Sequence, residues 1–440
     1  MALTVLLGSA WLAGCAEHSV LQRGADQGPR PQLVEPVRSV LPTLKIAPAE
    51  PWGASEMPRA ARGLAVTAFA RGLDHPRTLL VLPGGDVLVA ETNAPPRPDD
   101  AKGVRGWVMG VVMGIAGAGG PSANRITRLR DVDGDGVAEQ REVVISGLNS
   151  PFGMALVGDR LYVADTDAVR EFVLPEAGSA SAAPLGAGRL LAPLPAGPLN
   201  HHWTKGLVAS PDGRTLYVSV GSNSNVGENG LDVERDRARI LEIDRRSGAT
   251  RVFATGLRNP VGMAWWTDGS LWVVVNERDE LGSDLVPDYL TAVRAGDDFG
   301  WPWVWYGSHP DLRAPPPRPV GGAATRVPDY ALGSHVAPLG LVAASGSPVA
   351  AALDRPGAPD GMFVGLHGSW NRRPLAGYQV VWVPFRAGRP QGLPVEVLTD
   401  FVDADGRARG RPVGVAVDAR GALLVADDVG GAVWRVAPAR

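Results

Sequence analysis

Along most of the chain, apolar residues come in short runs, many alternating with polar ones, and turns rich in Gly, Asp, Asn or Pro cut each run off. Such a period reads as β-strands rather than helices. The stretch 256–277, GLRNPVGMAWWTDGSLWVVVNE, shows the pattern in full. A polar Arg258-Asn259-Pro260 turn leads into an apolar strand, a tight Thr267-Asp268-Gly269 turn, and a second apolar strand ending in polar residues. Two β-rich runs joined by an Asp-Gly turn predict a hairpin.

The same unit recurs. Gly72-Leu73-Asp74-His75-Pro76 leads to LLVLPGGDVLVAET, Gly147-Leu148-Asn149-Ser150-Pro151 to FGMALVGDRLYVADT, and Trp203-Thr204-Lys205-Gly206 to LVASPDGRTLYVSVGS. The 256–277 unit is the fourth. A degraded copy starts at Pro338-Leu339-Gly340-Leu341 and resumes at Gly361, and a last one runs from Gly410-Arg411-Pro412 through VGVAVDARGALLVADD. Six copies of a hairpin unit at long spacing predict an all-β, six-bladed β-propeller over residues 63–440. Uneven spacing implies outer loops. One is the apolar, Gly-rich insertion 102–120, read as a short surface helix serving as a lid, a docking surface or a membrane-touching loop, or else as a loop packed against a neighbouring blade. Another is the Pro-rich excursion 310–328, read as a surface loop.

Composition sharpens this picture in three places. With 20% charged residues and a net charge of -3, nothing suggests attraction to nucleic acid. The 56 glycines and 39 prolines, beside 45% hydrophobic residues, fit a turn-dense β protein. The single cysteine, Cys15, excludes internal disulfides, c-type haem and thiolate metal clusters. It follows an apolar run ending Leu12-Ala13-Gly14, which resembles a lipoprotein signal with Cys15 as the acylated residue; plain secretion is the alternative. The expectation is a signal segment over 1–14, a flexible Pro/Ala-rich tether over 15–62, and an exported, lipid-anchored periplasmic or cell-surface protein.

Candidate chemistry falls at the mouths of the predicted units. Asp131, Asp133, Asp135 and Glu139 in DVDGDGVAE place oxygens at alternate positions around glycine turns, as a calcium loop does; a solvated acidic turn is the alternative. His201-His202-Trp203 lies before the third unit, where a histidine is either a general base or a structural residue. Arg258 and Asn259, Arg411, and His367 open or close three other units. Converging on one axis, they would suit a planar polyanion gripped by arginine forks.

Taken together, His201–Lys205, Ser219–Asn225, Arg258-Asn259-Pro260, Asn276–Gly282, His367–Arg373 and Arg411–Gly414 occur in an order that resembles the soluble quinoprotein sugar dehydrogenases, more narrowly their sorbosone-dehydrogenase-like branch. The resemblance runs from about residue 63 to the end. It implies a six-bladed propeller holding pyrroloquinoline quinone (PQQ) with Ca²⁺. It also implies oxidation of an aldose or aldehyde to lactone or acid, with electrons passed to a separate cytochrome or quinone. On it, His202 is the catalytic base. Arg258, Asn259, Arg411, His367 and the amide of Asn149 contact the cofactor, and the backbone carbonyls of Glu277 and Arg278 bind its calcium. Glucose-oxidising relatives orient the base with an aspartate, where this chain has Ser222; Asn223 or a water is expected to take over that role. Two other readings remain open at this point: a non-catalytic surface propeller binding a glycan or protein partner, and a calcium-dependent lactonase-type propeller.

Overall fold

The computed structural model describes residues 17–37, 43–96, 110, 114–117, 120–174, 184–186, 188–316, 324–353 and 360–439. The expected signal run and Cys15, most of the 102–120 insertion, and 317–323 of the Pro-rich excursion lie outside them. No helix among the described residues is long and apolar enough to cross a membrane.

Six antiparallel sheets of four or more strands stand around a common axis, a six-bladed propeller. From the axis outwards, blade one is Pro76–Val81, Val87–Glu91, Arg125–Arg130 and Gln140–Ile145. Blade two is Gly153–Val157, Arg160–Ala164, Ala168–Val173 and Arg189–Pro193. Blade three is Leu207–Ala209, Thr215–Val220, Arg239–Asp244 and Thr250–Thr255. Blade four is Asn259–Trp265, Leu271–Asn276, Pro287–Val293 and Tyr330–Ser334, and blade five is Pro338–Ala344, Gly361–Leu366, Gln379–Arg386 and Val395–Thr399. Blade six takes Pro412–Val417, Leu423–Asp427 and Ala432–Pro438 from the C-terminus and its outermost strand, Leu64–Arg71, from the start of the domain. Each repeat found in the sequence is the inner pair of strands of one blade.

The second strands are buried on both faces, as in Val87–Glu91, Leu271–Asn276 and Leu423–Asp427, because neighbouring blades cover them. Burying each large apolar side chain there contributes about 1.5–3 kcal/mol. At the axis the inner strands approach so closely that glycine is required. A Cβ on Gly206 would lie 2.0 Å from the Val261 carbonyl, and one on Gly340 2.1 Å from that of Val413. Gly153, Gly262 and Gly414 abut Leu207, Leu339 and Arg77 in the same way, so the ring of blades is sealed backbone to backbone.

The segment expected as a tether is not one. Gln27–Gly28 adds a strand to the outer edge of blade four, and Arg59–Ala60 adds one to blade five. Between them Ala47 is fully buried, and Trp52 packs edge-on against Phe401 and Trp434, at 5.7 and 5.8 Å. The polar, Pro-rich sequence carries no periodicity because it follows the contours of loops instead of pairing with itself.

Candidate functional site

Every inner strand begins at the same end of the axis, so the turns before these strands and after the second strands gather at one mouth. Its floor is apolar: Phe152, Val261, Leu339 and Val413 come from four blades, with Trp203 against them. Arg77, on the inner strand of blade one, lies 5.7 Å over the rings of both Phe152 and Trp203. Its own partner is Asp428 of blade six. Sequence reasoning missed Arg77; it follows the proline of its unit, where Arg411 precedes one.

Two polar groups flank the floor. In the first, Arg258 pairs with Asp279 at 2.9 Å, and Asp279 also accepts from Asn371 Nδ2 at 2.8 Å, with His335 Nδ1 at 3.5 Å. Burial would raise the Asp279 carboxyl, but Arg258 and His335 hold it well below the usual carboxylate range. Asn225 closes the group by pairing both amide atoms with the Asp279 backbone, at 2.8 and 3.1 Å. In the second, His367 Nε2 lies 2.9 Å from Asp428. Burial pushes its pKa down against the pull of Asp428, so the position carries a neutral donor and the charge there belongs to Arg77 and Arg411. The Arg411 guanidinium sits 4.8 Å over the Tyr378 ring.

His202 stands beside the first group. Its Nδ1 is 2.7 Å from the Ser222 carbonyl and 3.1 Å from the Ser222 hydroxyl, which itself donates to the Ser224 carbonyl at 2.6 Å. A carbonyl only accepts, so Nδ1 carries the proton and Nε2 presents a lone pair. The Nδ1 partner expected at Asn223 is instead the backbone of Ser222, whose N–H in turn donates to the Arg258 carbonyl at 2.7 Å. Burial and the Arg258 charge push the His202 pKa down to about 3, so the imidazole is neutral at ordinary pH. Blades three and four can meet here because residue 221 is glycine: a Cβ there would lie 2.4 Å from Asn259 Oδ1 and 2.6 Å from His202 Cβ.

Several buried polar atoms at the mouth have no protein partner: Asn259 Oδ1, both amide atoms of Asn223, and the Nε atoms of Arg77 and Arg411. Each such atom costs about 1–3 kcal/mol unless something satisfies it. The donor set, three arginines over an apolar floor, fits a flat polyanion.

Other expected residues lie differently. Asn149 is exposed at the turn into blade two, its backbone carbonyl accepting from Thr166 at 3.0 Å. The Glu277 carbonyl accepts from Arg258 Nη1 at 2.5 Å, which leaves one lone pair for a cation. Arg278 points away into blade four, donating to the Pro302 and Val304 carbonyls at 3.0 and 2.9 Å. That contact, with Arg313 donating to the Asp279 carbonyl at 2.8 Å, pins the Trp-rich loop of blade four to this turn. The described start of the Pro-rich excursion is therefore part of the wall. Asp131, Asp133, Asp135 and Glu139 bring their oxygens within 4.8 Å of one another, but between the third and fourth strands of blade one, at the opposite end of the axis. There Asp131 already accepts from Gly134 and Gly136, at 2.7 and 3.0 Å.

The molecule is thus a six-bladed β-propeller with a cationic, apolar-floored mouth and the neutral His202 beside it. The TrAA12-like family model matches residues 122–288 and 322–439, more than half of the chain, and the chain belongs to that family. Among solved structures, it is similar to the calcium structure of a Trichoderma reesei family AA12 carbohydrate-active enzyme (TM-score 0.66, 18% identity, 90% of this chain and 99% of that one). It is also similar to the holo PQQ domain of Coprinopsis cinerea pyranose dehydrogenase (TM-score 0.64, 21% identity, 89% and 100%). The PQQ-bound aldose sugar dehydrogenase of Streptomyces coelicolor follows (TM-score 0.52, 19% identity, 86% and 100%). At these identities the likeness is one of fold. An uncharacterized protein of Borreliella burgdorferi is 27% identical over 225 residues, half of this chain; the match spans 56% of that relative's length.

Proposed function

We propose that the protein is a PQQ- and Ca²⁺-dependent dehydrogenase of an aldose or a sorbosone-like aldehyde, working with a separate electron acceptor. The observation that carries this reading is the convergence of Arg77, Arg258 and Arg411 with a neutral His202 over one apolar floor. The names of the AA12, pyranose dehydrogenase and aldose sugar dehydrogenase neighbours support the cofactor and the substrate class.

When bound, PQQ supplies the two-electron acceptor that no side chain offers. Arg77, Arg411 and Arg258 would hold its carboxylates, and Asn259 its polar edge. Ca²⁺ would take the Glu277 and Arg278 carbonyls, the former through its second lone pair. His202, fixed by Ser222, takes the proton of the substrate hydroxyl on Nε2. Arg258, positioned by its pair with Asp279, would place positive charge near the developing alkoxide. Acylation of Cys15 and export belong to the same reading; labelled palmitate incorporated by wild type and lost in Cys15→Ala is the expected result.

The deciding experiment is reconstitution. The purified chain, with PQQ and Ca²⁺, is assayed for dye reduction over a panel of aldoses and aldehydes. Activity needing both additions and lost with a chelator is expected. Absence of PQQ binding would replace this reading with a glycan- or partner-binding propeller.

A further inference from the structure

Residues 43–56 lie over the loops of blades five and six that reach the mouth. The Lys45 N–H donates to the Trp370 carbonyl at 2.9 Å, and Arg373 donates to the Leu44 carbonyl at 2.9 Å. On the next loop, Ala408 N–H donates to Pro48 at 2.7 Å and Glu50 N–H to Ala408 at 2.8 Å, while Arg409 pairs with Glu50 at 3.0 Å. The first of these loops carries His367 and Asn371; the second leads directly into Arg411.

The contacts converge on Arg411. Ala47, fully buried, accepts from Arg411 Nη2 at 3.4 Å. Trp52 Nε1 donates to Asp427 Oδ2 at 2.8 Å, and Asp427 Oδ1 accepts the Arg411 N–H at 2.8 Å. Gly410 lets that carboxylate in: a Cβ there would lie 2.2 Å from Asp427 Oδ2. An arginine is costly to immobilise, and one already held in place binds an anion without that cost.

We propose that residues 43–56 are a brace completing the anion-holding end of the mouth, with the Ala47 carbonyl and the Trp52–Asp427 pair presetting Arg411 and the Lys45 N–H fixing the loop that bears His367 and Asn371. The brace rests on the PQQ reading for its ligand, but it assigns a binding role to a segment outside the repeat that builds the blades.

The test uses the full chain with PQQ and Ca²⁺. Trp52→Phe keeps the ring packing and removes the donor; Ala47→Leu displaces the segment; Arg23→Ala, which loses only an exposed pair with Glu396, is the control. Binding is read by tryptophan quenching, folding by the cofactor-free melting midpoint, and the brace itself by hydrogen exchange at Lys45 and Glu50. In wild type, PQQ should slow exchange at both amides. Trp52→Phe and Ala47→Leu should weaken PQQ binding on the order of tenfold while Arg23→Ala does not. Unchanged exchange at these amides on PQQ binding overturns the brace and leaves the cofactor reading standing, even if Ala47→Leu fails to fold. Trp52→Phe binding PQQ within about twofold of wild type has the same meaning. If wild type binds no PQQ, the cofactor reading falls and the brace falls with it.

Discussion

Gly221→Ala isolates the geometry of the mouth from the stability of the blade. Its backbone is not in the left-handed region, so alanine brings no torsional strain. What it brings is a methyl group 2.4 Å from Asn259 Oδ1 and 2.6 Å from His202 Cβ, where ordinary contact begins at 3.4 Å. One or both neighbours must move by about 1 Å, a displacement that costs on the order of 100-fold in rate when it separates reacting groups. Overpacking of this kind costs about 1–3 kcal/mol of stability, a shift of a few degrees in melting midpoint that leaves the protein folded at 25 °C. The assay pairs kcat/KM for dye reduction with a calorimetric scan. Gly84→Ala, at a glycine with nothing within 4 Å and no left-handed backbone, serves as the neutral control. Wild-type turnover in folded Gly221→Ala would refute the view that His202 and Asn259 work as a fixed pair.

His202→Gln should lower turnover by about 10²–10⁴-fold with PQQ binding unchanged, read by quenching titration. Arg258→Ala leaves Asp279 buried without its cation, and should cost about 3 kcal/mol in denaturant unfolding as well as weakening PQQ binding. The pH dependence follows from His202: its folded pKa, about 3, lies below the unfolded value of 6.5, so its contribution is complete above pH 6.5 and is lost as pH falls towards 3. His202→Gln should therefore flatten the acid limb of the melting curve relative to wild type. In cofactor-free protein, imidazole NMR should show His202 neutral down to about pH 4. Asp131→Ala removes the acceptor for the Gly134 and Gly136 amides and should cost about 1–2 kcal/mol with or without calcium, measured by thermal unfolding in chelator.

The propeller was legible because each unit repeats a whole device: a mouth turn, a strand, an Asp-Gly turn and a second strand. The 17–62 segment was not, since main-chain contacts such as Lys45 to Trp370 and Ala408 to Pro48 leave no side-chain period. At the site, Arg258, Arg411 and His202 stood out by type among the residues that would touch a ligand, while Arg77, within its strand behind a proline, did not. Residues that position them did not. Asp279 and Asp428 fall just past the second strands of blades four and six, a place that superposing the units would have exposed. The partner of His202 is a backbone carbonyl, which no residue type announces. His367 is polar where expected, but only the position of Asp428 and its burial reveal that it is a neutral donor.

The closure of blade six has a consequence for how the protein is made. Leu64–Arg71 leaves the ribosome before any blade is complete, yet its partner Ala432–Pro438 emerges only after the strands of the other five blades. Until then the early strand is an unpaired edge, and its pairing spans almost the greatest sequence separation the domain allows. The ring locks only once Ala432–Pro438 has emerged, so a nascent chain halted before residue 432 holds five blades and an open seam. Lesions in that last strand should then lower the yield of folded protein, through aggregation before closure, more than they lower the melting point of the molecules that do close.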